Sequence, residues 1–213
     1  MFTQVKAAGQ SFVRDTVAKG QQSDLWRDLS GVQGPKRQPR RVQGGLAPDR
    51  AREVAAWLQR DGPVWWTLCC TGLGPREYWP FPREPLTGRW DVLPDRIVAH
   101  GTKREHRDRT IPRITTPVRP MIGYQAFRRR LTEAGRVLGI ERLTPYVARR
   151  TFAHFLELAR EIPDSRCDLY MGHSAKTDRA KYREHDVVPY LPEDTRALRQ
   201  AVGPDPRYMR ALA

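Results

Sequence analysis

Residues 171–186 read MGHSAKTDRAKYREHD. His173 follows a glycine, and Tyr182 comes nine residues after it. The tyrosine stands among charges, with no apolar neighbours to pack on. A phenol in that setting is poor packing material and a candidate nucleophile. The alternatives are a surface tyrosine at 182 and a turn-capping histidine at 173. A second candidate lies upstream in TPYVARRTFAHFLE, residues 144–157. There Ala148, Phe152, Phe155, Leu156 and Ala159 form one stripe at helical spacing. At about 100° per residue, Arg149 falls on the edge of that stripe beside Leu156, and Arg150 points nearly opposite. Arg149 is therefore expected half-buried and Arg150 solvated. A half-buried guanidinium demands a fixed anion. That anion is either a carboxylate of the same chain or a bound ligand.

The net charge says which external anion to expect. The chain has 213 residues, with 38 Lys and Arg against 24 Asp and Glu, a formal net charge of +14. Such an excess sits on the surface and attracts polyanions. Nucleic acid is the leading partner, and an anionic membrane surface is second. No stretch approaches the roughly 18 uninterrupted apolar residues of a membrane span. The start, MFTQVKAAGQSF, has no long apolar core and is no secretory signal. Cys69, Cys70 and Cys167 give neither a disulfide framework nor metal-ligand spacing, so a reducing, cytoplasmic setting is expected. The five histidines have no ligand spacing with cysteines or carboxylates. No metal, cofactor or small-molecule substrate is implied.

The elements that must position these residues follow from the pattern. Residues 2–30 read as helical, with Val5, Phe12, Val13, Val17, Leu25 and Trp26 as apolar points, too few to fold alone. GVQGPKRQPRRVQGG, residues 31–45, lacks apolar periodicity and reads as a basic linker. Its Lys36, Arg37, Arg40 and Arg41 are candidates for a backbone-phosphate clamp. From 46 the pattern changes. Pro48 suits a first helical turn, and Ala51, Val54, Ala55 and Leu58 fall at i, i+3, i+4 and i+7. VWWTLCC, residues 64–70, is apolar on all sides and predicts a buried helix ended by TGLGP. RWDVL and DRIVAHG flank Pro94-Asp95, a turn pair, and TIPRI follows TKREHRDR, which predicts a small antiparallel sheet between about 89 and 114. Phe127, Leu131, Ala134 and Leu138 predict one buried helical face. Thr144 and Pro145 open the next helix as N-cap and first turn. Shorter helices are predicted near 164–171, 175–184 and 189–201. The fold class is mainly α with a small antiparallel sheet. Trp65, Trp66, Trp79 and Trp90 read as core.

Four stretches resemble the sequence boxes of the tyrosine recombinases, the phage-integrase family. TPYVARRTFAHFLE resembles the Thr-Pro-His-x-x-Arg-His-Thr-Phe-Ala box. MGHSAKTDRAKY resembles the Leu-Gly-His box, whose nucleophilic tyrosine commonly lies nine residues after the histidine. CCTGLGPREYW resembles the Thr-Gly-Leu-Arg-x-x-Glu box of the first catalytic arginine. HGTKREHRDRTIP resembles the β-hairpin that carries a catalytic lysine. The boxes occur in the family's order and cover about residues 46–190.

The resemblance implies a mostly helical catalytic domain and a definite chemistry. Tyr182 would attack a DNA phosphodiester, leaving a 3′-phosphotyrosyl bond and a free 5′-hydroxyl. Arg149 would clamp the phosphate, His173 would hydrogen-bond it, and Lys103 would protonate the leaving oxygen, with Arg104 as an alternative on the same hairpin. Two positions depart from the family pattern. Gly74 stands where the first arginine belongs, and Arg76 is the nearest replacement. Tyr146 stands where the family has histidine; its phenol can donate to a phosphate and it lies at i, i+3 from Arg149. Arg104 and the solvated Arg150 join the backbone-contact candidates.

The implied domain plan is a remnant helix of a core-binding domain at 1–30, the linker at 31–45, and a catalytic domain with a tail helix at 46–213. A lone core-binding helix leaves apolar points without partners, which implies a fragment or an internally started product. Family tails dock on a neighbouring protomer, so a homotetramer on double-stranded DNA is implied. Two other functions compete: a degenerate recombinase that only binds DNA, suggested by Gly74 and Tyr146, and a type IB topoisomerase-like strand transferase.

Overall fold

The computed structural model describes residues 44–101, 108–173 and 187–209, with side chains through 207. They all belong to a single compact unit. The helix expected at 2–30, the linker candidates Lys36, Arg37, Arg40 and Arg41, the hairpin candidates Lys103 and Arg104, the helix expected at 175–184 and Tyr182 lie outside the described residues.

Helix α1, Pro48–Leu58, starts on a proline that needs no N–H partner and buries Ala51, Val54, Ala55 and Leu58, the stripe its spacing predicts. Its entry is pinned where the Leu46 N–H donates to Thr151 Oγ1 at 3.0 Å. A 3₁₀ turn, Gln59–Asp61, leads into α2, Gly62–Thr71. Nine of the ten residues of α2 are buried, which is what an all-round apolar helix requires. Trp65 makes this compatible with a polar indole by donating from Nε1 to the Ala51 carbonyl at 2.9 Å. Burial pushes the thiols of Cys69 and Cys70 well above the ordinary cysteine range, so both are held as neutral core groups. Gly72 ends α2 in the left-handed region, φ 60°, and a Cβ there would lie 2.4 Å from the Phe152 ring. Glycine is thus required both by backbone angle and by space.

A short helix α3, Pro75–Tyr78, precedes the sheet. Strands β1 (Trp90–Val92), β2 (Arg96–Ala99) and β3 (Arg109–Pro112) pair antiparallel in that order. Ile97 faces Ile111 across the β2–β3 ladder. Pro112, which has no N–H to donate, is accommodated because β3 is an edge strand. The turn at Pro94-Asp95 is closed by Leu93 N–H donating to the Arg96 carbonyl at 2.8 Å.

Helix α4, Tyr124–Leu138, buries Phe127, Leu131 and Ala134; Leu138, expected on the same face, is half-buried because it lies at the helix end. Helix α5, Pro145–Leu158, has Thr144 at its N-cap, but the threonine side chain makes no capping bond. Helix α6, Asp164–Met171, ends on Gly172, and α7, Leu191–Val202, follows a 3₁₀ turn at Val188–Tyr190. A last turn, α8, spans Pro206–Met209. Helix α2 is the central element, packed between α1 and α5, while α6 and α7 both reach from α5 to β3. The tail helix α7 buries Leu191, Ala197, Leu198 and Val202 against its own chain. Trp65, Trp66, Trp79 and Trp90 are all core, at most 2% exposed. No described helix is long and apolar enough to cross a membrane.

Candidate active site

Arg149 is where its helical phase places it. Its side chain is 23% exposed, at the rim of α5, while Arg150 is exposed. The guanidinium is held from three sides. Nη1 donates to the Gly72 carbonyl at 2.8 Å and to Glu77 Oε2 at 3.2 Å, and Nη2 donates to the Met171 carbonyl. Two of these acceptors close helices: Gly72 ends α2 and Met171 ends α6. Helix C-termini carry orphan carbonyls and partial negative charge, so a guanidinium there satisfies both. Nε–H of Arg149 meets no acceptor among the described residues.

The sequence reading allowed either a carboxylate of the chain or an external anion for this arginine. The carboxylate exists: it is Glu77 on α3. Glu77 also accepts the Gly74 N–H at 2.6 Å, which fixes the turn between α2 and α3. A further guanidinium reaches it from β3. Arg109, buried at 7% exposure, donates from Nε to Glu77 Oε1 at 3.2 Å and from Nη2 to Oε2 at 2.9 Å. Burial pushes the Glu77 carboxyl up, but Arg109, the Gly74 N–H and Arg149 together outweigh it and hold the group below the ordinary value. Burial and the neighbouring Arg109 pull Arg149 below the ordinary arginine value, against the support of Glu77 and Tyr146. The cluster holds two cations and one anion, so it keeps net positive charge facing α6.

The remaining expected residues divide. His173 follows the left-handed Gly172 directly; its ring is 57% exposed, and Nδ1 lies 3.1 Å from Asp168 Oδ1. The turn that carries it is the one whose Met171 carbonyl binds Arg149, so these two boxes meet directly. Tyr146 stands one turn before Arg149, 53% exposed. Arg76 turns away from the cluster and pairs with Glu84 at 2.9 Å, half-exposed. It is the next residue, Glu77, that enters the site.

Sequence reasoning missed Glu77 and Arg109. Glu77 was visible as the glutamate of the Thr-Gly-Leu-Arg-x-x-Glu box. Arg109 was visible in the strand period, since it shares a face with Ile111 and a core-facing arginine needs a buried anion.

Polar clusters fix the stems that flank residues 102–107 and 174–186. Tyr170 on α6 donates to Asp194 Oδ2 on α7 at 2.6 Å, and Arg166 donates to Asp194 Oδ1 at 2.9 Å. These bonds hold the two helices that flank residues 174–186. At the base of the hairpin, His100 lies between two carboxylates, with Nε2 2.8 Å from Asp91 and Nδ1 2.8 Å from Asp108. The bond to Asp91 raises the His100 pKa most; burial opposes this, and Asp108 adds to the rise. A folded-state pKa above the unfolded one means stability that is complete below about 6.5 and lost as pH rises through the folded value. The thermal midpoint of the chain should therefore fall as pH rises above about 6.5, and H100N should show less of that fall in melts across the same range.

No family model matches the chain, and no curated protein matches it. Among solved structures it is similar to XerA recombinase, at 15% identity and a TM-score of 0.42, over 99% of this chain and 80% of that one. It is also similar to the Tn1549 transposon integrase in complex with transposon right end DNA, at 15% identity and a TM-score of 0.42, over 91% of this chain and 84% of that one. The chain itself is mostly helical with one three-stranded antiparallel sheet.

Proposed function

We propose that the chain is a site-specific DNA recombinase of the tyrosine type, an integrase that breaks and rejoins DNA through a 3′-phosphotyrosyl intermediate. The observation that carries this reading is the direct bond from Arg149 to the Met171 carbonyl. It joins the arginine box to the Gly-His turn from which the Tyr182 segment departs. The net charge of +14 supports a polyanionic substrate.

In this reading a DNA phosphate meets Arg149 and is hydrogen-bonded by His173 and Tyr146. The phenol of Tyr182 gives its proton to water, and its oxygen forms a bond to phosphorus. The bond from phosphorus to the 5′-oxygen breaks, and that oxygen keeps the bonding electron pair and takes a proton from Lys103. Full ionisation of a tyrosine at pH 7 costs about 4 kcal/mol, so cationic stabilisation of the phosphorane is what the site must supply. Reversal by the free 5′-hydroxyl rejoins the strand without a cofactor. A homotetramer on double-stranded DNA, and a cytoplasmic setting on the nucleoid, belong to the same proposal.

A second reading is a degenerate recombinase that binds DNA without cutting it. It is favoured by Gly74 and by the pairing of Arg76 with Glu84, which leave the site without the family's first arginine. A duplex nicked beside the scissile phosphate separates the two. The recombinase reading expects a covalent protein–DNA adduct that disappears completely in Y182F with DNA binding retained. Binding without any adduct from the unaltered chain would establish the second reading instead. Relaxation of supercoils by the monomer would favour the topoisomerase-like alternative.

A further inference from the structure

We infer that Arg109 is a positioning residue of the site: one buried guanidinium that sets Glu77 and the last turn of α6 in register and so aims Arg149 at the phosphate. The inference rests on the recombinase reading. Arg109 is not a phosphate ligand. It is 7% exposed, and each of its three nitrogens donates within the chain. Beyond the fork on Glu77, Nη2 donates to the Gly72 carbonyl at 3.1 Å and Nη1 to the Tyr170 carbonyl. Gly172 lies against the same side chain, where a Cβ would stand 2.8 Å from Arg109 Cδ. One side chain of β3 therefore ties together the end of α2, helix α3 and the Gly-His turn.

Each of those ties acts on Arg149. The Gly72 carbonyl and Glu77 are shared acceptors of both arginines, and the Met171 carbonyl is the neighbour of Tyr170. Charge makes a second link. Without Arg109, Glu77 would pair with Arg149 alone and cancel it. With Arg109 present, the pair of cations outnumbers the carboxylate and Arg149 keeps charge for a substrate anion. With glycine at 74, the second guanidinium beside Arg149 in this cluster comes from β3. The same strand leads out of the hairpin that contains Lys103, and Asp108, next to Arg109, accepts the Gly101 N–H at 3.2 Å. Arg109 thereby also couples the hairpin base to the phosphate-clamping arginine.

The test uses the full chain, the nicked duplex and Arg109→Gln, with Arg109→Lys beside it. Adduct formation at saturating DNA should fall about 10²-fold in R109Q, the cost of small misplacement at a reacting centre. DNA affinity should stay within about threefold, since a residue that touches no phosphate contributes no ground-state binding. The pH profile adds a readout that loss of packing would not move. In R109Q, Glu77 faces Arg149 on α5 and the N–H of Gly74 just before α3, while α2 and α6 present carbonyls. The carboxyl then ionises at higher pH, and because only its ionised form cancels Arg149, the rate of R109Q should recover in part as pH falls through that value, a pH dependence absent from the E77Q, R109Q double variant. R109K keeps the charge but cannot bridge Glu77, Gly72 and Tyr170 together, so it should fold and remain at least about tenfold slow. If R109Q fails to fold, R109K carries the test. Cleavage by the folded variants at the unaltered rate and pH profile overturns this inference alone. An unaltered chain that forms no adduct overturns the recombinase reading and this inference with it.

Discussion

Replacing Arg149 by alanine should slow formation of the DNA adduct by about 10²–10³-fold, the usual cost of removing one preorganised donor from a developing charge. The geometry gives the reason. Arg149 is aimed by three acceptors from different parts of the chain, and the loss is therefore of an oriented guanidinium rather than of a mobile charge. Lysine should rescue little, because an ammonium on a flexible stem cannot span Gly72, Glu77 and Met171 at once. DNA affinity should change far less than rate, because a chain of net charge +14 has many other phosphate contacts to offer. Single-turnover cleavage at saturating DNA, with affinity measured separately, checks both statements. R149A cleaving as fast as the unaltered chain would remove the phosphate clamp from the account.

Glu77→Ala should be the most destabilising single change at the site. It leaves Arg109 and Arg149 side by side without a counter-charge, and one of them is buried. Breaking a buried pair in this way costs about 3–5 kcal/mol, a large share of the roughly 5–15 kcal/mol that holds a domain together. Glutamine keeps the shape and one acceptor oxygen, so E77Q should lose less. The pH dependence has a definite sign. The folded carboxyl titrates below its ordinary value of 4.5, so its contribution is complete above that value and is lost as pH falls through the folded one. Urea midpoints should therefore drop for the unaltered chain as pH is lowered below about 4.5, and E77Q should give a flatter curve. Equal midpoints for E77A and the unaltered chain would show that the carboxylate does not anchor the arginine pair.

Much of the frame was legible because burial imposes periodicity. The stripe Ala51, Val54, Ala55, Leu58 and the all-apolar α2 each allow one solution, and the structure adopts it. Arg149 was legible for the same reason: its angle from Phe152 and Leu156 places it at the rim whatever it binds. The identity of its anion was not legible. Helical phase says that a partner must exist, but the partner lies 72 positions away on another element. Arg76 and Glu77 show the limit most sharply. They are adjacent, both polar, and differ by about 100° on a helix. Which of them enters the cluster depends on how α3 leaves Gly74, a tertiary matter that spacing does not encode. Arg109 is similar. Its strand phase marks it as core-facing, yet a run as basic as TKREHRDR does not single out which arginine is buried.

The segment with the proposed nucleophile, residues 174–186, is the centre of the proposal. The structure fixes its stems, His173 on one side and the buried Val187 on the other. Mass spectrometry of the trapped adduct tests the claim most directly. The full chain is incubated with the nicked duplex, digested, and the nucleotide-bearing peptide sequenced. The expected product is a phosphodiester on the phenol of Tyr182; a modification on any other residue, or DNA bound without a covalent link, contradicts the assignment of Tyr182 as nucleophile.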